Sequence, residues 1–199
     1  VAEDEVLPID NGLGLNPAMR PIKDLYDQGK VAIVHGVGYP APSRSHFRSM
    51  DVWHTAEPTR VGDEGWLGNA VKQMHPDGEN VVAAVNFGAA LPRALVAQGA
   101  PVASVTDLDS YGLMTDMDGE GQRAAALEAF RNIYTQAIGS GPVMDFLSQT
   151  GLDALKGADI LGSVTQRYSS SIEYASNPFA ESMKGVAQVL QADVGTRIC

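Results

Sequence analysis

The sequence predicts an α/β fold, βα-rich in its first half and helical in its second. Three observations predict it. The apolar run Val31-Ala32-Ile33-Val34-His35-Gly36-Val37 follows directly on a helical stretch, as buried strands of parallel sheets do. Val81 to Phe87 has the same character. From Gly119 onward apolar residues recur at helical spacing, the 3.6-residue signature of helices that bury one face.

The elements follow in order. Residues 1–15 form an irregular opening segment, with Gly12 and Gly14 as turn formers. Asn16-Pro17 starts a helix: Asn caps, and Pro at the first helical position gives up no needed hydrogen bond. Met19, Ile22, Leu25 and Tyr26 make its apolar stripe, and Gly29 is placed to end it as a left-handed cap. The strand Val31 to Val37 then opens into Gly38-Tyr39-Pro40-Ala41-Pro42, a stiff loop that cannot continue a sheet. Ser43 or Ser45 caps a helix over Phe47 to Thr55. A loop, Glu57 to Glu64, leads to Gly65-Trp66-Leu67-Gly68 and a helix ending near His75.

Val81 to Phe87 is the second buried strand. Arg93 to Ala97 and Val102 to Val105 read as a hairpin around Gln98-Gly99-Ala100-Pro101. Ala124 to Ile138 is a helix, with Leu127, Phe130, Ile133 and Tyr134 on one side. A longer one runs from Pro142 to about Tyr168, weakened at Gly151, Gly157 and Gly162. Asn177-Pro178 starts the last helix, through Met183, Val186, Ala187 and Leu190. The closing Asp193 to Cys199 reads as the start of a strand after a helix. With Val at residue 1, that ending suggests an interior piece of a longer chain. One α/β domain with a helical insertion at 119–192 accommodates both halves.

Composition narrows the function classes. The 199 residues are 44% hydrophobic and 19% charged, a globular balance. The net charge of −10, with no Lys/Arg cluster, argues against nucleic acid as a partner. No apolar run approaches the ~20 residues that a spanning helix needs. Cys199 is the only cysteine, so neither an internal disulfide nor a thiolate metal cluster is available.

The densest polar cluster is Ser43-Arg44-Ser45-His46-Phe47-Arg48-Ser49. It lies just past the predicted strand and at a helix start, the edge where open α/β sheets bind ligands. A helix N-terminus offers unpaired N–H groups and partial positive charge. With Arg44 and Arg48, and Ser43 as a further donor, this makes a candidate site for phosphate, sulfate or carboxylate. Ser45 is the candidate nucleophile and His46 the candidate acid or base. The plainer alternatives stand beside these: Ser43 and Ser45 as helix caps, Arg48 with Asp51 or Arg44 as solvated charges, and His46, Met50 and Trp53 as a packing face.

Other signals point less sharply. His46 and His54 lie about two helical turns apart, too far along the axis to share a metal easily. His35 reads as a core histidine, His75 as exposed, and Trp66 as a core anchor. Asp107, Asp109, Asp116 and Asp118 mimic a calcium loop in composition but lack its central Gly and terminal Glu.

A family resemblance enters here. Gly14-Leu15-Asn16-Pro17, Lys30 to Pro40, Arg44-Ser45-His46-Phe47, Trp53-His54-Thr55-Ala56 and Gly65-Trp66-Leu67-Gly68 resemble the DUF1501 family across residues 7–68. The closing Val194-Gly195-Thr196-Arg197 is similar too. That family, a domain of unknown function, is placed by fold in the alkaline-phosphatase and sulfatase superfamily. The resemblance implies a partial alkaline-phosphatase-like sheet spanning 1–199, twin-arginine export and a periplasmic or extracellular location. It also implies a divalent metal, zinc or calcium, held mostly by segments outside these residues. Pro42-Ser43-Arg44 echoes a sulfatase signature, whose nucleophile position would fall on Pro40, which cannot attack.

Three functional expectations follow, the last of them a cytosolic carbohydrate- or cofactor-binding α/β domain. One is a metal-dependent hydrolase of small anionic phosphate or sulfate esters, incomplete here, with Ser45 as nucleophile or anion cap, His46 moving a proton, and Arg44 and Arg48 stabilising negative charge. The second is a non-catalytic exported binding or assembly protein on a degenerate version of the same fold.

Overall fold

A computed structural model describes residues 2–10, 12–112, 120–135 and 141–199. The chain divides into two compact units, Val1–Pro42 and Ser43–Cys199.

In the first unit, β1 (Leu7–Pro8) pairs antiparallel with β2 (Gly14–Leu15). Asn16 then caps as expected: its side chain accepts from the Ala18 N–H at 3.0 Å. A short 3-10 turn, Pro17–Met19, leads into α1 (Arg20–Asp27). Gly29 adopts φ 69°. Its N–H donates to the Tyr26 carbonyl at 2.9 Å, and the Lys30 N–H to that of Leu25 at 3.0 Å. This paired bonding satisfies carbonyls that a helix end otherwise leaves open.

The first predicted strand does not form. Residues 31–39 lie in no ladder, His35 is exposed rather than in a core, and Val34 is 76% exposed. Gly36 explains part of this, because φ 71° takes the backbone out of the extended region. An apolar run is necessary for a buried strand, but it supplies no hydrogen-bonding partner.

The second unit holds the sheet. β3 (Ala84–Phe87) pairs parallel with β4 (Val102–Val105), Ala84 opposite Val102 and Phe87 opposite Val105. The closing segment adds a parallel bridge from Ile198 to Ala84. The Val85 N–H donates to Ile198 at 2.9 Å, and Thr196 Oγ1 donates to Val82 at 2.7 Å. The strand start read at the chain's end therefore lies beside β3. The predicted hairpin is corrected: β4 pairs with β3, and Arg93–Leu95 is a 3-10 turn. Consecutive Ala94 and Leu95 are both buried, which a half-buried strand with its two-residue alternation cannot achieve.

Alternation does govern β3 and β4. Val85, Ala103 and Val105 face a cluster with Leu161, Val164 and Val189. Ala84 turns to the opposite cluster, with Val71 and Leu95, against which Val102 and Ile198 pack. Apolar packing thus covers both faces, as parallel sheets require. One face is covered by α5 (Pro142–Gly162) and α6 (Pro178–Ala192), the other by α3 (Trp66–Met74). The architecture is mixed α/β.

The remaining helices are α2 (His46–Thr55) and α4 (Glu120–Thr135). The predicted helix over 124–138 matches α4 to Thr135, and its last residues lie outside those described, as do Asp116 and Asp118. The one predicted to reach Tyr168 ends at Gly162, followed by a 3-10 turn at Thr165–Arg167. Asn177 caps α6, accepting from the Ala180 N–H at 3.0 Å.

The Gly65-Trp66-Leu67-Gly68 motif works through its glycines. A Cβ on Gly65 would stand 2.2 Å from the carbonyl oxygens of Arg93 and Ala94. The Gly65 N–H donates to Val96 at 2.7 Å, locking α3 against the 3-10 turn. Trp66, expected as a core anchor, is 48% exposed instead. His75 is half-buried rather than exposed, and its Nε2 is sealed with no hydrogen-bond partner among the described residues.

Candidate functional site

The segment Ser43–Ser49 forms the start of α2 and is built by local hydrogen bonding. The Ser45 backbone is extended, and its Oγ accepts from the Arg48 N–H at 3.4 Å. The Ser45 N–H donates to Ser43 Oγ at 3.1 Å, and Ser49 Oγ donates to the Ser43 carbonyl at 3.0 Å. Both serines thus act as parts of a helix cap. His46 and Arg44 are exposed. Residues 31–37 form no strand, so the expected sheet edge does not deliver these residues.

Arg48 is committed elsewhere. Its Nη1 bonds Asp51. Its Nη2 donates to the carbonyls of Glu57 at 2.9 Å, Pro58 at 3.2 Å and Arg60 at 2.6 Å. Asp51, with its side chain 11% exposed, receives Arg48 on one oxygen and Arg93 on the other. Arg93 also donates to the Gly62 carbonyl. A carboxylate between two guanidiniums therefore ties α2, the 57–62 loop and the 93–95 turn together. Glu57 adds a bond to Arg60 at 2.7 Å, which holds the Glu57 carboxyl below its usual range.

Arg48 and Asp51 share a helix face at i and i+3, but they are partly buried in an ion pair rather than solvated as the sequence suggested. Arg93 was not foreseen, because it stands 42 residues from Asp51 and no local pattern joins them.

No three of His, Cys, Asp and Glu gather to hold an ion among the described residues. Asp51 already has a guanidinium on each oxygen. No helix among the described residues is long and apolar enough to cross a membrane.

A second concave place was not legible from sequence. Tyr168, Ser169, Ser170, Glu173, Tyr174 and Ser176 border a groove of about 630 Å³, closed on one side by Glu181 and Lys184 of α6. The two phenol oxygens lie 3.0 Å apart. Gln191 of α6 holds the rim: Ser169 N–H donates to its Oε1 at 3.0 Å, and its Nε2 donates back to the Ser169 carbonyl at 3.1 Å. Hydrogen bonds from Ser170 and Tyr174, and then the Lys184 charge, hold the Tyr168 phenol below its ordinary range. Its bond with Tyr168 raises Tyr174.

No protein-family model matches the chain, and neither curated proteins nor solved structures include a match.

Proposed function

We propose that this is a non-catalytic binding or assembly protein, an exported relative of the alkaline-phosphatase-like fold in which the Ser43–Ser49 segment braces structure rather than performing chemistry. The observation that carries the reading is the commitment of Arg48. Both of its terminal nitrogens are spent on Asp51 and three loop carbonyls, and Ser45 Oγ is spent on the helix cap. A serine nucleophile needs a partner that takes up its proton, and the one bond found at Ser45 Oγ is the cap to the Arg48 N–H. Along α2, Phe47, Met50 and Trp53 remain exposed at i, i+3 and i+6, Phe47 to 91%. Exposed apolar ridges of this kind serve recognition.

The rival reading, a metal-dependent phosphate or sulfate ester hydrolase, draws support from the parallel ladder of Ile198, β3 and β4, whose carboxyl edge is the usual ligand side of α/β enzymes. The deciding experiment uses the full-length protein with 4-nitrophenyl phosphate and 4-nitrophenyl sulfate, alongside elemental analysis. The binding reading expects no turnover and no stoichiometric zinc or calcium. Turnover abolished by Ser45→Ala in a protein that still folds overturns it.

A further inference from the structure

We infer that the groove between the Tyr168–Ser176 loop and the start of α6 is a binding site for a neutral sugar chain of a few residues. The inference rests on and deepens the binding reading given above, and its test makes no use of ester turnover.

Four observations carry it. The first is size: about 630 Å³ lies within the range of small-ligand sites. The second is preorganisation. The two-way amide bond between Gln191 and the Ser169 backbone fixes the loop on a rigid helix, and the paired phenols fix each other. A site that is ordered beforehand spends less of its binding energy on ordering itself.

The third is place. Phe87, the last residue of β3, packs on Gly185, where an added Cβ would stand 2.3 Å from its ring. Lys184 is the next residue back along α6. Its charge also reaches Asp107, just past the end of β4, where hydrogen bonds from Ser110 and from the Asp109 N–H do most to lower the carboxyl. Lys184, on the lining of the groove, is thus the chain neighbour of the residue that packs on the last residue of β3.

The fourth is the chemistry of the lining. Glu173 and Glu181 outnumber Lys184, so an anionic ligand meets net repulsion. Carboxylates accept hydrogen bonds from hydroxyls, the ammonium donates to them, and serine and phenol hydroxyls do either. Two tyrosine rings supply apolar faces beside these polar groups. Dense hydroxyls on a ring with C–H faces match that combination, which names a neutral sugar rather than a phosphate or sulfate.

The test is saturation-transfer NMR on the full-length protein with cellotriose, maltotriose and xylotriose, and with inorganic sulfate as the anionic probe. At least one trisaccharide is expected to bind with a dissociation constant of roughly 1 mM or tighter. Tyr174→Phe keeps the ring and removes the hydroxyl, and Glu181→Gln keeps the shape and removes the charge. Both are expected to weaken that binding about tenfold, a change of about 1.4 kcal/mol, with the circular dichroism spectrum unchanged. Absence of binding by all three sugars overturns the proposal. Binding that both variants leave intact does so too, as does sulfate that displaces the sugar.

Discussion

Replacing Arg48 by Ala separates a structural guanidinium from a ligand-binding one. The change removes the bond to Asp51 and three bonds to the carbonyls of Glu57, Pro58 and Arg60. A hydrogen bond involving a charged group is worth about 1.5–3 kcal/mol when its partner stays unsatisfied. Here the loss is smaller per bond. The Arg48 side chain keeps 27% exposure, Asp51 retains Arg93, and the loop carbonyls can turn to water. The sum comes to about 2–3 kcal/mol, short of the ~3–5 kcal/mol for breaking a fully buried pair. For a chain of this length that corresponds to a Tm lower by roughly 4–12 °C. Thermal denaturation followed by circular dichroism measures it. Limited proteolysis should also show earlier cleavage within 57–62, the segment those bonds hold down. A variant that melts within about 1 °C of the parent, with unchanged cleavage, refutes the brace and returns Arg48 to the list of ligand groups.

Gly65→Ala places a Cβ against two backbone oxygens that cannot rotate away. Denaturant unfolding should show a loss of about 3 kcal/mol, at the upper end of overpacking costs, and an unchanged midpoint removes the close-approach account. Leu161→Ala empties a fully buried position in the larger cluster and should cost about 2.5–5 kcal/mol by the same measurement. Glu64 accepts from Lys72 Nζ at 2.9 Å and from the Gln98 N–H at 2.8 Å, and these bonds lower its pKa from 4.5, Lys72 most of all. A depressed carboxyl pKa gives stability that is present above the unfolded value and lost as pH falls through the folded one. The parent should lose this contribution below about pH 4.5, where unfolded carboxyls protonate, and Glu64→Gln should flatten that part of the pH–Tm curve. A slope identical to the parent's counts against the clamp. Hydrogen exchange should find the amides of Ile33 and Val34 fast and that of Val85 slow; equal protection at the three would restore the strand over 31–37.

The legible parts of the fold are those whose cause is local. Asn16 and Asn177 each precede a proline, and both cap the helices expected of them, because a cap involves only the next few residues. Gly29 closes α1 for the same reason. β3 and β4 were legible as strands from their apolar runs. Their parallel pairing was not, since it depends on partners 18 residues apart, as for Ala84 and Val102. Val31 to Val37 is as apolar a run as Val81 to Phe87 and forms no strand. What β3 has, and that run lacks, is a neighbour on each side, β4 on one and Ile198 on the other.

The same distinction explains the candidate site. The serines and arginines of 43–49 were correctly seen as a helix start dense in polar groups. Whether such groups meet a ligand or the protein's own backbone depends on what the fold brings to them. Here it brings the 57–62 loop and, from far along the chain, Arg93, and together these consume the donors of Arg48 and both oxygens of Asp51. At the Tyr168 loop the balance runs the other way. Gln191 satisfies the backbone of Ser169 and Ser170 Oγ accepts from the Ile172 N–H, while Glu181 and Lys184 of α6 border the groove. A polar segment can turn its groups toward a ligand when something else does its structural work; an amide on α6 does part of that work at the groove, while Arg48 does it for the loop beside α2.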